Sequence, residues 1–193
     1  MALGDAILVC LTERPMTGYD LARAFDASIG FFWRADHQQI YRELGHLRDA
    51  AKVEVREVAQ SGKPNKLVYS ITANGRSALK AWSARPAAPP SIKDDLLVRL
   101  YALEHVDRDA LCIQLALRLD HHRARLARYE RILAERFTGR PLTPSETGKL
   151  LGLRAGLRYE RGWVDWCEEA STLLADRAGG NVVPITAGQG AGP

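Results

Sequence analysis

Leu3, Ile7, Cys10 and Leu11 recur at helical spacing and the run stops before Pro15, which predicts an amphipathic helix over residues 2–12. A second helix is predicted from Thr17, whose hydroxyl can cap the first turn while Asp20, three residues on, completes a reciprocal box. Leu21, Ala24 and Phe25 then turn inward, and Gly18 lies in the tight entry. A third helix follows Asp36, a natural N-cap with Gln39 as its partner three residues later. Stepping about 100° per residue puts Ile40, Leu44, Leu47 and Ala51 on one stripe. Gln38, Arg42, Gly45 and Asp49 fall opposite, flanked by Gln39, Tyr41 and His46. The apolar stripe is core; the polar one is left for a partner.

The period then changes to two. Val53 and Val55 begin a strand, and Leu67, Tyr69 and Ile71 form one face of a returning strand. Between them Gln60-Ser61-Gly62-Lys63-Pro64-Asn65-Lys66 is a turn rich in glycine, proline and asparagine with two cations. Thr72 caps a fourth helix whose Leu79 and Trp82 can pack back on the domain, ending near Arg85-Pro86. Helix, helix, helix, hairpin, helix is a winged helix-turn-helix over residues 1–86, the third helix being the one that enters a DNA groove by its N-terminal turn.

The residues on that turn suit the task. His37, Gln38 and Gln39 occupy it; glutamine can read adenine through a paired donor and acceptor, and arginine such as Arg42 can read guanine or hold a phosphate. A tyrosine hydroxyl, here Tyr41, commonly meets the phosphate backbone. Lys63 and Lys66 in the hairpin suit a wing that grips phosphates or the minor groove. Thr17 and Tyr19 at the entry to the second helix complete the candidate DNA-binding set. Gly45 either lets the backbone approach the duplex or is a tolerated glycine costing ~1 kcal/mol of helix propensity. Asp49 repels phosphate, which confines the contact surface to the N-terminal half of the helix.

Beyond a stiff linker, Ala87-Ala88-Pro89-Pro90, three helices are predicted. Ser91 with Asp94 offers a capping box for the first, which carries Leu96, Leu97, Leu100 and Leu103. The second, from about Asp107 to Phe137, sets Leu115, Leu119, His122, Leu126, Tyr129 and Leu133 at spacings of four and three, a coiled-coil-like seam. The last starts at Thr143-Pro144-Ser145-Glu146 with a box and a proline at its first position. It carries two apolar faces, one through Leu150, Leu153, Leu157 and Val164 and another through Leu151, Trp163, Trp166 and Leu173. One face suffices for packing within a chain, so the second is a candidate homodimer surface, with burial on both sides inside a monomer as the alternative. Gly148, Gly152 and Gly156 either admit a neighbouring helix closely or merely weaken the helix start. Tyr159, Trp163 and Trp166 can line a pocket for a hydrophobic effector or form plain core. Residues 87–177 thus form an α-helical dimerisation and possible effector domain, and the uncharged, glycine-rich stretch 178–193 reads as a disordered tail.

Composition adds limits. The chain has 193 residues, 46% hydrophobic and 26% charged, enough for a real core, and its formal charge of +4 permits a polyanionic partner without demanding one. No apolar run approaches the roughly 20 residues of a membrane span and the start lacks a basic signal-peptide region, so a cytoplasmic location is expected. Cys10, Cys112 and Cys167 are far apart, without a C-x-x-C pair, which argues against disulfides and structural zinc. Asp120-His121-His122 is too compact for a facing ligand set, and His122 on an apolar seam reads as a core histidine. With no P-loop, dinucleotide fingerprint, nucleophile elbow or metal motif, neither an enzyme nor a cofactor is expected.

Thr17-Gly18-Tyr19, Ile40-Tyr41-Arg42-Glu43-Leu44 and Tyr69-Ser70-Ile71-Thr72-Ala73-Asn74-Gly75-Arg76, in this order, closely resemble the PadR family of bacterial transcriptional regulators. Residues 153–170 resemble the final helix of the subgroup with a longer helical C-terminal domain similar to the virulence-activator type. The resemblance implies a mainly α, homodimeric winged-helix regulator, usually a repressor, on an inverted-repeat operator, with some members released by small aromatic or hydrophobic compounds. It places Tyr41 at the family's characteristic tyrosine and Lys63 and Lys66 in its basic wing. Ala51 departs from it, standing where a glycine commonly closes the recognition helix, which implies a differently shaped turn. The rival reading is a winged-helix protein-interaction scaffold, which would show an apolar patch where Gln38, Gln39, Tyr41 and Arg42 stand.

Overall fold

The computed structural model describes residues 2–27, 35–59, 65–87, 89 and 92–175. The chain divides between Pro90 and Ser91 into two compact units. The first contains α1 (Ala2–Leu11), β1 (Met16–Thr17), α2 (Gly18–Ala27), α3 (His37–Asp49), β2 (Val53–Val58), β3 (Lys66–Ile71) and α4 (Ala73–Ser83). Ile7, Leu8, Leu21, Phe25, Ile40 and Leu44 are fully buried at its centre, and Met16, Val53 and Ile71 close the core from the sheet side. The helical stripes read from the sequence are therefore the surfaces that meet, with Leu79 of α4 packed against them.

The sheet is antiparallel with strand order β1-β3-β2. β1 escaped the sequence reading because two residues cannot display an alternation. It joins the base of the hairpin, Met16 opposite Tyr69 and Thr17 opposite Val68. Along β3 the predicted inner face is buried at Ile71, half-buried at Tyr69 and 49% exposed at Leu67, so the hairpin leaves the core as it extends. Its turn at residues 60–64, Lys63 included, lies outside the described residues.

Each end of α3 is fixed by its own residues. Asp36 Oδ1 accepts from the Gln39 amide at 2.7 Å and Gln39 Oε1 accepts from the Asp36 amide at 3.1 Å, the expected capping box. At the other end Ala51 N–H donates to the Arg48 carbonyl and Lys52 N–H to that of Leu47, both at 2.8 Å. This is a Schellman motif with Ala51 at its left-handed position, φ +52°, the only non-glycine residue with positive φ among those described. Two expectations fail at this turn. Ala51 is exposed and off the apolar stripe, because the helix ends before it, and an alanine in place of glycine does not change the turn. The turn is instead held from outside: Thr72 Oγ1 donates to the Ala51 carbonyl at 2.8 Å and Asn74 Nδ2 to that of Ala50 at 3.1 Å. Thr72 also caps α4, accepting from the Gly75 amide at 3.0 Å. A Cβ on Gly75 would lie 2.2 Å from the Lys52 carbonyl oxygen, so only glycine lets α4 start against this turn.

The second unit contains α5 (Asp95–Tyr101), α6 (Arg108–Arg136) and α7 (Pro144–Ala175). α5 is capped by Asp94, which accepts from the Leu96 amide at 3.0 Å; the box expected at Ser91 lies outside the described residues. α5 ends at Tyr101, before Leu103, although Leu103 still packs on the unit's core. α6 is flanked by its caps Asp107 and Phe137, the two residues between which the pattern predicted it. Thr143 and Glu146 form the expected box at the start of α7, the Glu146 side chain accepting from the Thr143 amide at 2.9 Å. Leu111 and Leu115 of α6 pack with Leu174 and Cys167 of α7, and Tyr129 with Gly156, so the two helices run antiparallel. A Cβ on Gly156 would come within 3.1 Å of the Tyr129 ring, whereas one on Gly148 meets nothing within 4 Å. Gly156 is thus tied to a close approach and Gly148 is not. The tail expected from residue 178 lies outside the described residues.

Candidate nucleic-acid interface

His37, Gln38, Tyr41 and Arg42 are exposed on the first two turns of α3, a helix whose opposite side, Ile40, Leu44 and Leu47, is anchored in the core. Gln39 is half-buried and its Oε1 already accepts a hydrogen bond in the cap, which leaves its amide NH2 as the donor for a partner. Thr17 is similarly engaged: its hydroxyl donates to Asp20 Oδ2 at 2.7 Å and accepts from the Asp20 amide at 3.1 Å. The box at α2 closes between side chains, because the Thr17 backbone belongs to β1. Tyr19 is 58% exposed, with the Arg23 guanidinium 5.8 Å from its ring centre, a cation–π contact on the surface. Lys66 is exposed at the outer end of the hairpin, opposite Val58 and next to the turn.

Tyr41 does not stand clear of the fold. Its ring lies on Gly18, where an added Cβ would be 2.4 Å from Cε1, 2.8 Å from Cζ and 3.0 Å from the hydroxyl oxygen. The rear half of α3 is occupied by its own pairs, His46 with Glu43 at 3.2 Å and Arg48 with Asp49 at 2.9 Å. Arg48 therefore offsets the Asp49 charge expected to repel phosphate. Gly45 has open space at its Cβ position, so no contact among the described residues explains it. Sequence reasoning passed over Arg56, which stands exposed on β2 opposite Val68, itself opposite Thr17. Paired residues share a face of the sheet, so Arg56 adds a cation to the face that also carries Thr17.

In the second unit Trp163 is the hub of the aromatic group. It stacks on His122 at 5.3 Å and 5°, meets Trp166 edge-on at 5.2 Å and Tyr159 at 6.3 Å, and carries the Arg118 guanidinium 5.2 Å from its ring. Trp163 and Trp166 pack on the core while Tyr159 stays 57% exposed. Beneath lies a residue the sequence reading missed. Glu160, 1% exposed, holds His122 Nδ1 at 2.5 Å and Arg125 Nε at 2.8 Å, and Arg125 donates to the Tyr129 hydroxyl at 2.7 Å. The signal was present: positions 150, 153, 157, 160, 164 and 167 form an unbroken seam, and Glu160 is its one charged member. Burial raises the Tyr129 and Cys167 pKa values, and the Arg118 guanidinium holds the Asp94 carboxyl below its usual range. Cys10 and Cys167 are buried and take part in no disulfide. Among the described residues no cluster of histidine, cysteine or acid could hold a metal ion, and no helix is long and apolar enough to cross a membrane.

A helix-turn-helix with an antiparallel hairpin behind its second helix, followed by a long antiparallel helix pair, defines a winged helix-turn-helix regulator. Residues 7–81 match the transcriptional regulator PadR-like family and residues 92–175 the virulence activator alpha C-terminal family. The chain is 38% identical to the probable transcriptional regulator Rv1176c of Mycobacterium tuberculosis, over 92% of this chain and 100% of that one. It is 29% identical to the negative transcriptional regulator PadR of Bacillus subtilis, over 88% and 95%. The structure of that PadR in complex with operator DNA superposes with a TM-score of 0.77 at 27% identity, covering 90% of this chain and 99% of that one. Its complex with p-coumaric acid gives 0.72 at 25%, covering 91% and 100%. The Vibrio cholerae virulence activator AphA gives 0.73 at 34%, covering 90% and 98%. The chain belongs to the PadR-like family: it is a transcriptional regulator and not an enzyme.

Proposed function

We propose that this regulator is a homodimeric repressor that binds an inverted-repeat operator and is released by a small hydrophobic or aromatic effector. The observation that carries the DNA reading is the exposed start of α3. Gln38, Tyr41 and Arg42 project from a helix capped at both ends and anchored by three buried residues, beside a hairpin bearing Lys66. Rigid side chains that donate and accept are what a major groove reads, and Lys63 with Lys66 would add phosphate contacts. The operator complex of the Bacillus subtilis relative supports the same role. A scaffold would need apolar surface there, and these residues do not supply it.

Dimerisation through the C-terminal helices is supported by apolar side chains left in solvent on the long pair: Ile113 and Leu117 on α6, Leu151 and Leu173 on α7. Two winged domains brought about one turn of DNA apart, ~34 Å, read two half-sites, which is why an inverted repeat fits. Tyr159, Trp163 and Trp166 are the proposed effector residues; an aromatic ligand stacking on this group and favouring another spacing of the two domains would shift the population away from the DNA-bound state. The relative's complex with p-coumaric acid supports an aromatic acid as the kind of ligand.

The test is a titration of purified protein onto labelled DNA from upstream of its own gene, at several salt concentrations and against random competitor. Competitor-resistant binding that weakens with salt, at two protomers per site, is expected. Equal binding to random DNA would overturn the operator reading, and unchanged binding with a panel of phenolic acids would overturn effector release.

A further inference from the structure

We propose that Gly18 is a positioning residue for the DNA-reading tyrosine: the absence of a side chain at the first residue of α2 creates the seat on which the Tyr41 ring rests. The proposal rests on the DNA-binding reading above and adds to it a residue that touches no DNA itself. Three observations carry it. The ring approaches so closely that a single methyl at position 18 would overlap it, at 2.4 Å from Cε1. The backbone there is not in the left-handed region, so glycine is not required by its conformation. And every atom that a Cβ would meet first belongs to a half-exposed side chain on another helix, not to backbone or core.

These facts separate Gly18 from Gly75, where an added Cβ runs into a fixed carbonyl. At Gly18 the fold has an inexpensive way out, because the Tyr41 ring can swing off α2 into solvent. Helix propensity even favours alanine over glycine at this position. What the methyl removes is the fixed direction of the Tyr41 hydroxyl, which α2 and α3 now define together. A phenol held on a neighbouring helix loses little freedom on meeting a phosphate; a swinging one loses more.

The experiment compares Gly18→Ala, Tyr41→Phe and the double variant in the full-length protein, by operator affinity, thermal melting and the nuclear Overhauser contact between the α-proton at position 18 and the ring at position 41. Tyr41→Phe, which removes one hydrogen bond to a charged phosphate, is expected to weaken operator binding roughly tenfold. Gly18→Ala should weaken it by a similar factor with the melting temperature unchanged or raised, lose the ring contact, and leave the double variant no weaker than Tyr41→Phe alone. Gly18→Ala that binds as wild type, or a double variant in which the two losses multiply, would overturn the positioning role while leaving DNA binding intact. If wild type shows no operator preference, the DNA reading itself falls and this role falls with it, whatever the ring contact does.

Discussion

Replacing Ala51 with glycine should stabilise the first unit by about 1 kcal/mol. Ala51 occupies the left-handed position of the Schellman turn at the end of α3, with φ +52°. An L-residue there has its Cβ against the following carbonyl, at roughly 1–2 kcal/mol. Glycine removes that cost but gains conformational freedom in the unfolded chain, which takes back about 0.4–1 kcal/mol. The difference is about 1 kcal/mol in favour of glycine. The side chain is exposed, so no packing is lost with the methyl. The turn keeps its bonds, since Thr72 and Asn74 hold it through the Ala51 and Ala50 carbonyls, which the substitution leaves in place. In urea the midpoint of the first unit's transition should rise with an unchanged slope. In calorimetry a domain of this size should gain about 4–8 °C. Ala51→Val should act oppositely, because a β-branched residue tolerates this region less well. A midpoint unmoved or lowered by glycine would refute the argument, and would mean that the bonds from α4 absorb the strain by adjusting the turn.

Much of the fold was legible because local rules and long-range packing agree. The caps at Asp36, Thr72 and Thr143 are written in three or four consecutive residues, and each occurs where the sequence put it. The inward stripes of α3 and α6 follow from periodicity alone. What was not legible depends on partners distant in the chain. β1 exists only because β3 lies beside it, and Tyr41 is held by a glycine 23 positions earlier. Gln39 and Thr17 were each read both as a capping partner and as a DNA-binding group; their oxygens are engaged in capping, and how far that role competes with the other is something residue type does not reveal. Glu160 shows the opposite failure. Its position on the seam was plain in the spacing, but an acid among apolar neighbours has a meaning only when His122 and Arg125 are seen to converge on it from α6.

Three further tests follow from named contacts. Arg42 is exposed on the second turn of α3, so Arg42→Ala should leave melting within about 0.5 kcal/mol. It should cost ~1–3 kcal/mol on the operator alone if Arg42 reads a base, or weaken operator and random DNA alike if it holds a phosphate. Unchanged binding to both would remove it from the interface. Glu146 is held to a pKa of about 2, first by the Arg140 side chain and then by the Thr143 amide and hydroxyl. Its folded value is depressed from 4.5, so its contribution to stability is present above pH 4.5 and is lost as the pH falls through about 2. A carboxyl titration followed by NMR should move towards 4.5 in Arg140→Gln, and a midpoint near 4.5 in the wild type would refute the pairing. Finally, Glu160 is the sole acid between two nitrogen bases in the α6–α7 seam, so removing it alone takes the buried carboxylate from the Arg125 guanidinium, whose side chain is 23% exposed. Breaking a buried pair from one side costs ~3–5 kcal/mol, and partial solvation of Arg125 places Glu160→Ala at the lower end, about 3 kcal/mol. Replacing the whole group by apolar residues, His122→Leu with Arg125→Met and Glu160→Leu, leaves no stranded charge and should recover most of that loss. If Glu160→Ala costs under about 1 kcal/mol in urea, water already screens the group and the triad does not hold the helix pair; if the triple variant is as unstable as the single one, what the seam needs from these residues is the register their hydrogen bonds impose.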